Sequence, residues 1–307
     1  MKRFLFVRFL QAIVSLFMLV TVVFFLVRLT GDPALRMIPP QATREVADNI
    51  RRVFGLDKPV GIQYLIFLRE VVLDFHLGTS QFFMRPVTDL LSMRIWASLQ
   101  LAVASMFVAF FIALPLGVYS AIRRGSRFDY IARAFSIAGG SLPSFLVGLL
   151  LIRFFAVELR WFPICCRSEP LSIVLPALTL GWFVSAAFMR LTRSSMLEVL
   201  DAEYVKLARI KGVNEGLVIW KHALKNALLP VVTYSTVVFA AIVGGAIVVE
   251  TVFAWPGLGK LLVDAVLTRD FPMIQGTVIL IGAIFIATNF MTDILYGFLN
   301  PKIRFAR

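Results

Sequence analysis

The side chains that carry most acid–base, nucleophilic and metal chemistry are scarce in this chain: two histidines, His76 and His222, and two cysteines, Cys165 and Cys166, in 307 residues. A zinc or soft-metal site needs three or four such donors at defined spacing. These four are too few and too scattered, so no metal site is expected. No H-E-x-x-H, G-x-S-x-G or G-x-x-x-x-G-K-[ST] pattern occurs. The nearest approach to a phosphate loop is Gly259-Lys260, which has Ala254 where the first glycine must stand. ATP binding by that route is excluded, and neither a catalytic residue nor a bound cofactor is expected on this chain. Neighbouring cysteines form a strained bridge at best. Cys165 and Cys166 are therefore read as free or partner-linked thiols without a chemical role.

What remains are polar groups in apolar company. Ala208 to Asn226, ARIKGVNEGLVIWKHALKN, carries six charged or imidazole side chains in nineteen residues between two uncharged runs. Glu250 to Gly259, ETVFAWPGLG, closes an apolar run with Trp255, Pro256 and glycines that forbid a continuing helix. An interfacial turn anchored by Trp255 is one reading of it. Thr288, Asn289 and Asp293 interrupt a third apolar stretch. An Asp near mid-bilayer costs about 2.5–3.5 kcal/mol on insertion scales, so these groups are expected to face protein or water. Asn289 and Asp293 are candidates for a solute path, with an interhelical hydrogen bond or a near-interface Asp293 as the alternative.

The elements that position these groups follow from composition. The chain is 59% hydrophobic and 16% charged, with 29 Phe and a mean hydropathy of +0.86. A soluble domain has roughly 45–50% apolar and 25% charged residues. Uncharged runs cover Phe9–Val27, Ile95–Ile122, Ala134–Ile152, Pro170–Met189, Asn226–Val249 and Phe271–Thr292. Each approaches or exceeds the roughly 20 residues that cross a bilayer as helix, and only helices satisfy single spans in lipid. An all-α protein with six transmembrane helices is predicted. The run Phe9–Val27 is too long for a signal-peptide core and no A-x-A-like site follows, so it reads as a retained first helix.

The net charge of +13 does not point to nucleic acid, because its distribution is one-sided. With the N-terminus inside, the N-terminal tail, the Arg123–Arg133 loop, the Arg190–Lys225 loop and the C-terminal tail hold 17 of 31 Lys and Arg. The loops Arg153–Glu169 and Glu250–Asp270 hold three and two. The positive-inside bias therefore predicts both termini in the cytoplasm. Residues 28–94 are of mixed charge, with turn signals at Gly31-Asp32-Pro33, Pro39-Pro40 and Leu56-Asp57-Lys58-Pro59. Within this external segment Val60 to Phe75 is apolar and reads as a helix on the membrane surface, with Tyr64 and Phe67 as interfacial anchors. Gly244-Gly245-Ala246 gives the fifth span a small-residue face for close helix approach.

As one straight helix the 36 residues Arg190–Lys225 would reach about 54 Å from the membrane. The sequence supplies a fold-back. Arg209 and Lys211 suit a helix C-terminus, Gly212 the left-handed cap, and Asn214-Glu215 a new N-terminus. Upstream, Asp201 is expected to cap a helix from Ala202, with Tyr204, Val205, Leu207 and Ala208 offering apolar contact. Two short helices meeting at a glycine turn suit insertion into a groove on a partner, and a solvated loop has similar composition.

The stretch Ser195–Thr233, SMLEVLDAEYVKLARIKGVNEGLVIWKHALKNALLPVVT, resembles the cytoplasmic loop of binding-protein-dependent ABC importer permeases, specifically the first permease subunit of the peptide/nickel group. The superfamily pattern is E-A-A, three residues, Gly, nine residues, then I-x-L-P. Gly212 and the nine residues to Lys221 match in spacing, with His222 at the Ile position and Leu224-Lys225 at Leu-Pro. Lys206-Leu207-Ala208 stands for E-A-A. GLDKPVGIQY from Gly55, LGTS from Leu77, VVETVFAWPGLGKLLVDAVLTRDFPMIQG from Val248 and the tail from Asn300 agree with the same branch.

The resemblance implies a type I importer permease with no enzymatic activity of its own. It would pair with a second homologous permease, two ATP-binding subunits that carry ATP and Mg, and an external substrate-binding protein in a bacterial inner membrane. It implies ATPase coupling by the loop 190–228 through Tyr204, Val205, Lys206, Ala208, Arg209, Lys211, Gly212, Val213, Asn214, Leu217, His222 and Asn226. Glu250, Phe253, Trp255, Pro256 and Gly257 become an external gate or docking lip. The expected organisation is residues 1–30 as tail and first helix, 31–94 as external subdomain, 95–300 as five-helix core and 301–307 as cytoplasmic tail. Di- and oligopeptides are the expected cargo, with nickel, glutathione or oligosaccharide as alternatives. A secondary transporter would need ion-coupling carboxylates and internal symmetry, which the sequence does not display.

Overall fold

The computed structural model describes residues 2–30, 43–53 and 57–299 of the chain. The turn signals Gly31-Asp32-Pro33 and Pro39-Pro40, residues 55 and 56 and the tail from Asn300 lie outside them. No β-strand occurs among the described residues; Thr79 and Pro86 form one isolated bridge.

Helix α1 spans Lys2–Thr30, α2 Arg44–Val53, α3 Val60–Val72 and α4 Val87–Ile122. Helix α5 covers Arg127–Ser141 and α6 Ser144–Leu151, which continues as a wider π-helical segment, Ile152–Glu158. A 3-10 turn, Pro170–Ile173, opens α7, Val174–Leu200. Helices α8, Glu203–Ile210, and α9, Glu215–Leu217, form the charged loop; a π-helical stretch, Val218–Ala223, leads on to α10, Leu224–Gly245. Helices α11, Ile247–Val252, α12, Leu258–Leu267, and α13, Phe271–Leu299, complete the described residues.

Among the described residues five helices are long and apolar enough to cross a membrane, and a sixth span arises if the bent pair Arg127–Ser141 and Ser144–Glu158 is taken together. The third span predicted as one helix over Ala134–Ile152 is therefore broken, with its halves at 102°. Pro143 supplies the reason. Leu142, before the proline, is in extended conformation at ψ 129, away from the helical region that the proline ring disfavours. Hydropathy is uniform across this break.

Helices α4 and α7 form the centre of the bundle, burying Leu101, Ala109 and Ala113 on one and Leu175, Phe188 and Met189 on the other. Gly181 lets them close: a Cβ there would stand 3.0 Å from Ser105 O and nearer still to Val108. The most apolar window of the α7 span is 61% buried, against 22% for those of α1 and α13, whose outer faces are left to the surroundings.

Two sequence expectations shift in the helices before the core. Helix α4 begins at Val87, eight residues ahead of the expected boundary at Ile95, because Pro86 starts it and Val87 is fully buried under Leu258 and Met273. Helix α3 stops at Val72 rather than Phe75, and its aromatics turn toward α1. Tyr64 OH lies 2.7 Å from Thr21 Oγ1 and the Phe67 ring 5.2 Å from that of Phe24, so both dock on α1. Ile62 and Leu65 are the exposed side chains instead.

Candidate functional site

At one end of the bundle, the charged segment folds back as two short helices. Gly212 adopts φ 76, and its N–H donates to Arg209 O at 3.0 Å while that of Val213 donates to Ala208 O at 3.2 Å. This paired closure of a helix C-terminus needs a left-handed residue, which glycine supplies without a Cβ penalty. Asn214 then caps α9 by accepting from the Gly216 N–H at 2.9 Å. Arg209 clamps the two helices from outside, donating from Nη2 to Glu215 Oε1 at 2.7 Å and from Nε at 3.1 Å to Oε2. The carboxylate pushes the Arg209 pKa above its ordinary value through that hydrogen bond, and the guanidinium stays charged.

The expected cap at Asp201 does not form. Asp201 keeps a helical conformation as the residue that closes α7 after Leu200, and Ala202, extended at ψ 146, precedes α8 without a side-chain cap. Val205 is fully buried and forms the floor of α8, so it belongs to the support rather than to the surface. Tyr204 OH accepts from Asn226 Nδ2 at 2.9 Å, tying α8 to the start of α10, while Asn226 also reaches His222 O. Val213 and His222 are half-buried and Ala208 likewise. Lys206, Lys211 and Leu217 are exposed. Beside them stand Leu207, Ile210 and Trp220, apolar side chains open to solvent and up to 81% exposed at Ile210. Ile210 and Trp220 were not among the sequence candidates, although the three-residue spacing of Leu207 and Ile210 on a helix was a readable signal.

This knob rests on the bundle. Trp220 meets Tyr119 of α4 at a ring distance of 6.5 Å. Val118 and Ala121 of α4, Met196 of α7, and Ile219, Ala223 and Ala227 form one buried cluster beneath it. Close by, Asp129 of α5 is 1% exposed and accepts from Ser120 Oγ at 2.5 Å, Arg193 Nε at 2.8 Å and Nη2 at 3.0 Å, and the Gly125 N–H at 3.0 Å. That carboxylate joins α4, α5 and α7 at the loop end. Sequence reading missed it, since its partners are 9 and 64 residues away.

The opposite end carries the Glu250 motif, and it is interior. Glu250 is fully buried and accepts from Ser98 Oγ at 2.6 Å and from the Lys260 N–H at 3.0 Å. Ser98 Oγ in turn accepts from the Leu258 N–H at 2.8 Å. Trp255, 2% exposed, donates from Nε1 to Ala97 O at 2.9 Å and is not an interfacial anchor. Phe253 packs on Gly148 of α6, and Gly257 lies against the Glu250 carboxylate with no room for a Cβ. Pro256 is half-buried between them. The segment is thus a bolt between α4, α11 and α12.

Beside the bolt, a cavity of about 990 Å³ opens between α4 and the start of α7, walled by Trp96, Gln100, Phe107, Arg167, Glu169 and Trp255. Val103, shared with it, also lines a smaller pocket of about 300 Å³ with Ser235, Thr236 and Thr288. Asn289 and Asp293 are elsewhere. They face α1, where Asp293 pairs with Arg8 at 3.3 Å beside a separate cleft. The two cysteines, expected as separate thiols, are joined to each other as a disulfide. Among the described residues no three His, Cys, Asp or Glu side chains gather as a metal site would require.

Comparison with known proteins gives these features a setting. Residues 113–305 match the family described as binding-protein-dependent transport system inner membrane component, and residues 1–88 match its N-terminal region. The glutathione transport system permease protein GsiC of Pectobacterium atrosepticum is 42% identical over 299 residues, 97% of either chain. The protein of the same name from Escherichia coli K12 is 40% identical over 307 residues, covering 99% of this chain and all of that one. In fold, the chain resembles the inward-facing MetNI methionine ABC transporter, with a TM-score of 0.58 at 20% identity over 69% of this chain and 97% of that one. The chain belongs to the inner membrane components of binding-protein-dependent transport systems, the permeases of ABC importers.

Proposed function

We propose that this chain is one of two homologous permease subunits that move small peptides into a bacterial cytoplasm, glutathione, a tripeptide, among them. Both termini and the loop 190–228 lie on the cytoplasmic side in this reading. ATP and Mg are held by two partner ATPases, an external binding protein delivers the cargo, and no cofactor sits on this chain. The observation that carries the mechanism is the exposed apolar ridge of Leu207, Ile210, Leu217 and Trp220 on a knob braced by the Gly212 turn. The substrate class rests on the named relatives, similar over nearly the whole chain.

Mechanically, closure of the ATPases displaces the knob, and the displacement passes into α4 and α7 through the cluster of Val118, Ala121 and Met196 and the Asp129–Arg193 pair. Packed interfaces move as bodies between discrete arrangements, which exchanges outward and inward access. Lys206 and Lys211 beside the ridge offer charge to acidic groups on the ATPase. The test is uptake by the reconstituted four-subunit complex with its binding protein, using labelled glutathione, dipeptides and nickel in competition. Peptide uptake that needs ATP supports the proposal. ATP-driven uptake of nickel alone, or uptake without the ATPases, overturns it.

A further inference from the structure

Cys165 and Cys166 take no part in the knob or in span packing, yet their placement is particular. Both are exposed and joined to each other, and the Cys166 N–H donates to Phe253 O at 2.9 Å, on the turn that contains Glu250 and Trp255. Cys166 is held at φ 69, a left-handed conformation that an L side chain keeps only while its surroundings impose it. The next three residues, Arg167, Ser168 and Glu169, wall the 990 Å³ cavity together with Trp96 and Trp255. An exposed disulfide is open to attack by thiolate, and its reactivity depends on access and on the stability of the leaving thiolate.

We infer that the Cys165–Cys166 pair is a thiol–disulfide exchange site for low-molecular-weight thiols arriving at this mouth, cysteinyl peptides of the glutathione type. Its ligand and its outward orientation rest on the proposed function. The incoming thiol loses its proton to solvent and attacks Cys165 Sγ. The S–S bond breaks as the new one forms, and the electron pair leaves on Cys166 Sγ, which takes up a proton. The products are a mixed disulfide on Cys165 and a free Cys166 thiol, with no external oxidant required. Attack by Cys166 on the mixed disulfide restores the starting state and frees the cargo.

The probe is reduced glutathione added without oxygen to the purified complex, followed by acid quenching and peptide mass spectrometry. Wild type is expected to carry glutathione on Cys165 and to gain an alkylatable Cys166. Cys166→Ser, which has no bridge to open, is expected to carry none. Absence of the adduct on wild type, or reaction of its cysteines with maleimide before any thiol is added, overturns the inference. Uptake of S-methylglutathione, which has no thiol to exchange, tests the transport reading separately: its failure counts against peptide import without touching the adduct result.

Discussion

Substitution at Gly212 separates the shape of the knob from what the knob touches. The residue sits at φ 76 with no atom within 4 Å of where a Cβ would be, so alanine meets no clash and bears only the backbone cost. For an L residue in the left-handed region that cost is roughly 1–2 kcal/mol. It shifts the ratio of closed to open turn by roughly 5- to 30-fold. Asparagine, which tolerates this region, is expected to lose less. Proline fixes φ near −65° and removes the N–H that donates to Arg209 O at 3.0 Å, so the turn cannot close. The expected order of ATP-coupled uptake in proteoliposomes is wild type, Asn, Ala, then Pro near background, with membrane insertion unchanged. Tryptophan has a backbone cost similar to alanine's. Any loss beyond that of Ala therefore measures a partner surface packed over position 212. Wild-type uptake by Gly212→Pro would refute the docking role, and equal uptake by Ala and Trp would place the partner contact elsewhere on the knob.

Three further outcomes follow from the packing. Glu250→Ala orphans the Ser98 hydroxyl and the Lys260 N–H in a fully buried site, at about 1–3 kcal/mol each, and should lower the melting point in detergent. Glu250→Gln should lie between Ala and wild type, and an unchanged melting point for Ala would show that the bolt is dispensable. Gly181→Val should cut the yield of folded protein by forcing α4 and α7 apart, whereas Gly140→Ala, whose nearest neighbour is Arg190 at 3.7 Å, should be tolerated. Equal yields from the two would contradict the close approach. Removing Asp129 leaves the 20%-exposed Arg193 side chain unpaired, at up to about 3–5 kcal/mol before solvent screening. Asp129→Asn combined with Arg193→Met should recover part of that loss; simple additivity of the two changes would refute the coupling.

Five of the spans were legible because lipid leaves no alternative to long uncharged helices, and Gly212 was legible because a helix stop, a glycine and an Asn start lie within six residues, Arg209 to Asn214. The bolt was not. Glu250 and Ser98 are 152 residues apart, and only the folded bundle brings them together. The motif around Trp255 suggested a surface turn because tryptophan, proline and glycine commonly occupy interfaces, yet the indole finds Ala97 O inside the protein and becomes a core residue. The surroundings of Asn289 and Asp293 were equally hidden, since both line a cleft against α1. The charge that satisfies Asp293 is Arg8, at the other end of the sequence. The break at Leu142-Pro143 was written in the sequence but invisible to hydropathy, which ignores backbone conformation. Asp201 had a capping side chain, but α7 ran on to Leu200 and left the extended start of α8 to Ala202.

The broken third span constrains how the chain is assembled. Its two arms, Arg127–Ser141 and Ser144–Glu158, are each 15 residues, about 22 Å if helical, and neither alone crosses a hydrocarbon layer of about 30 Å. Synthesised from the N-terminus, they enter the membrane before α7 exists, although Ser136 Oγ bonds Ala186 O and Arg190 Nη1 bonds Ser136 O, both on α7. The middle of the protein therefore settles only after α7 has followed it, and removing the Ser136 hydroxyl or the Arg190 guanidinium should trap the chain during biogenesis rather than disable a finished transporter.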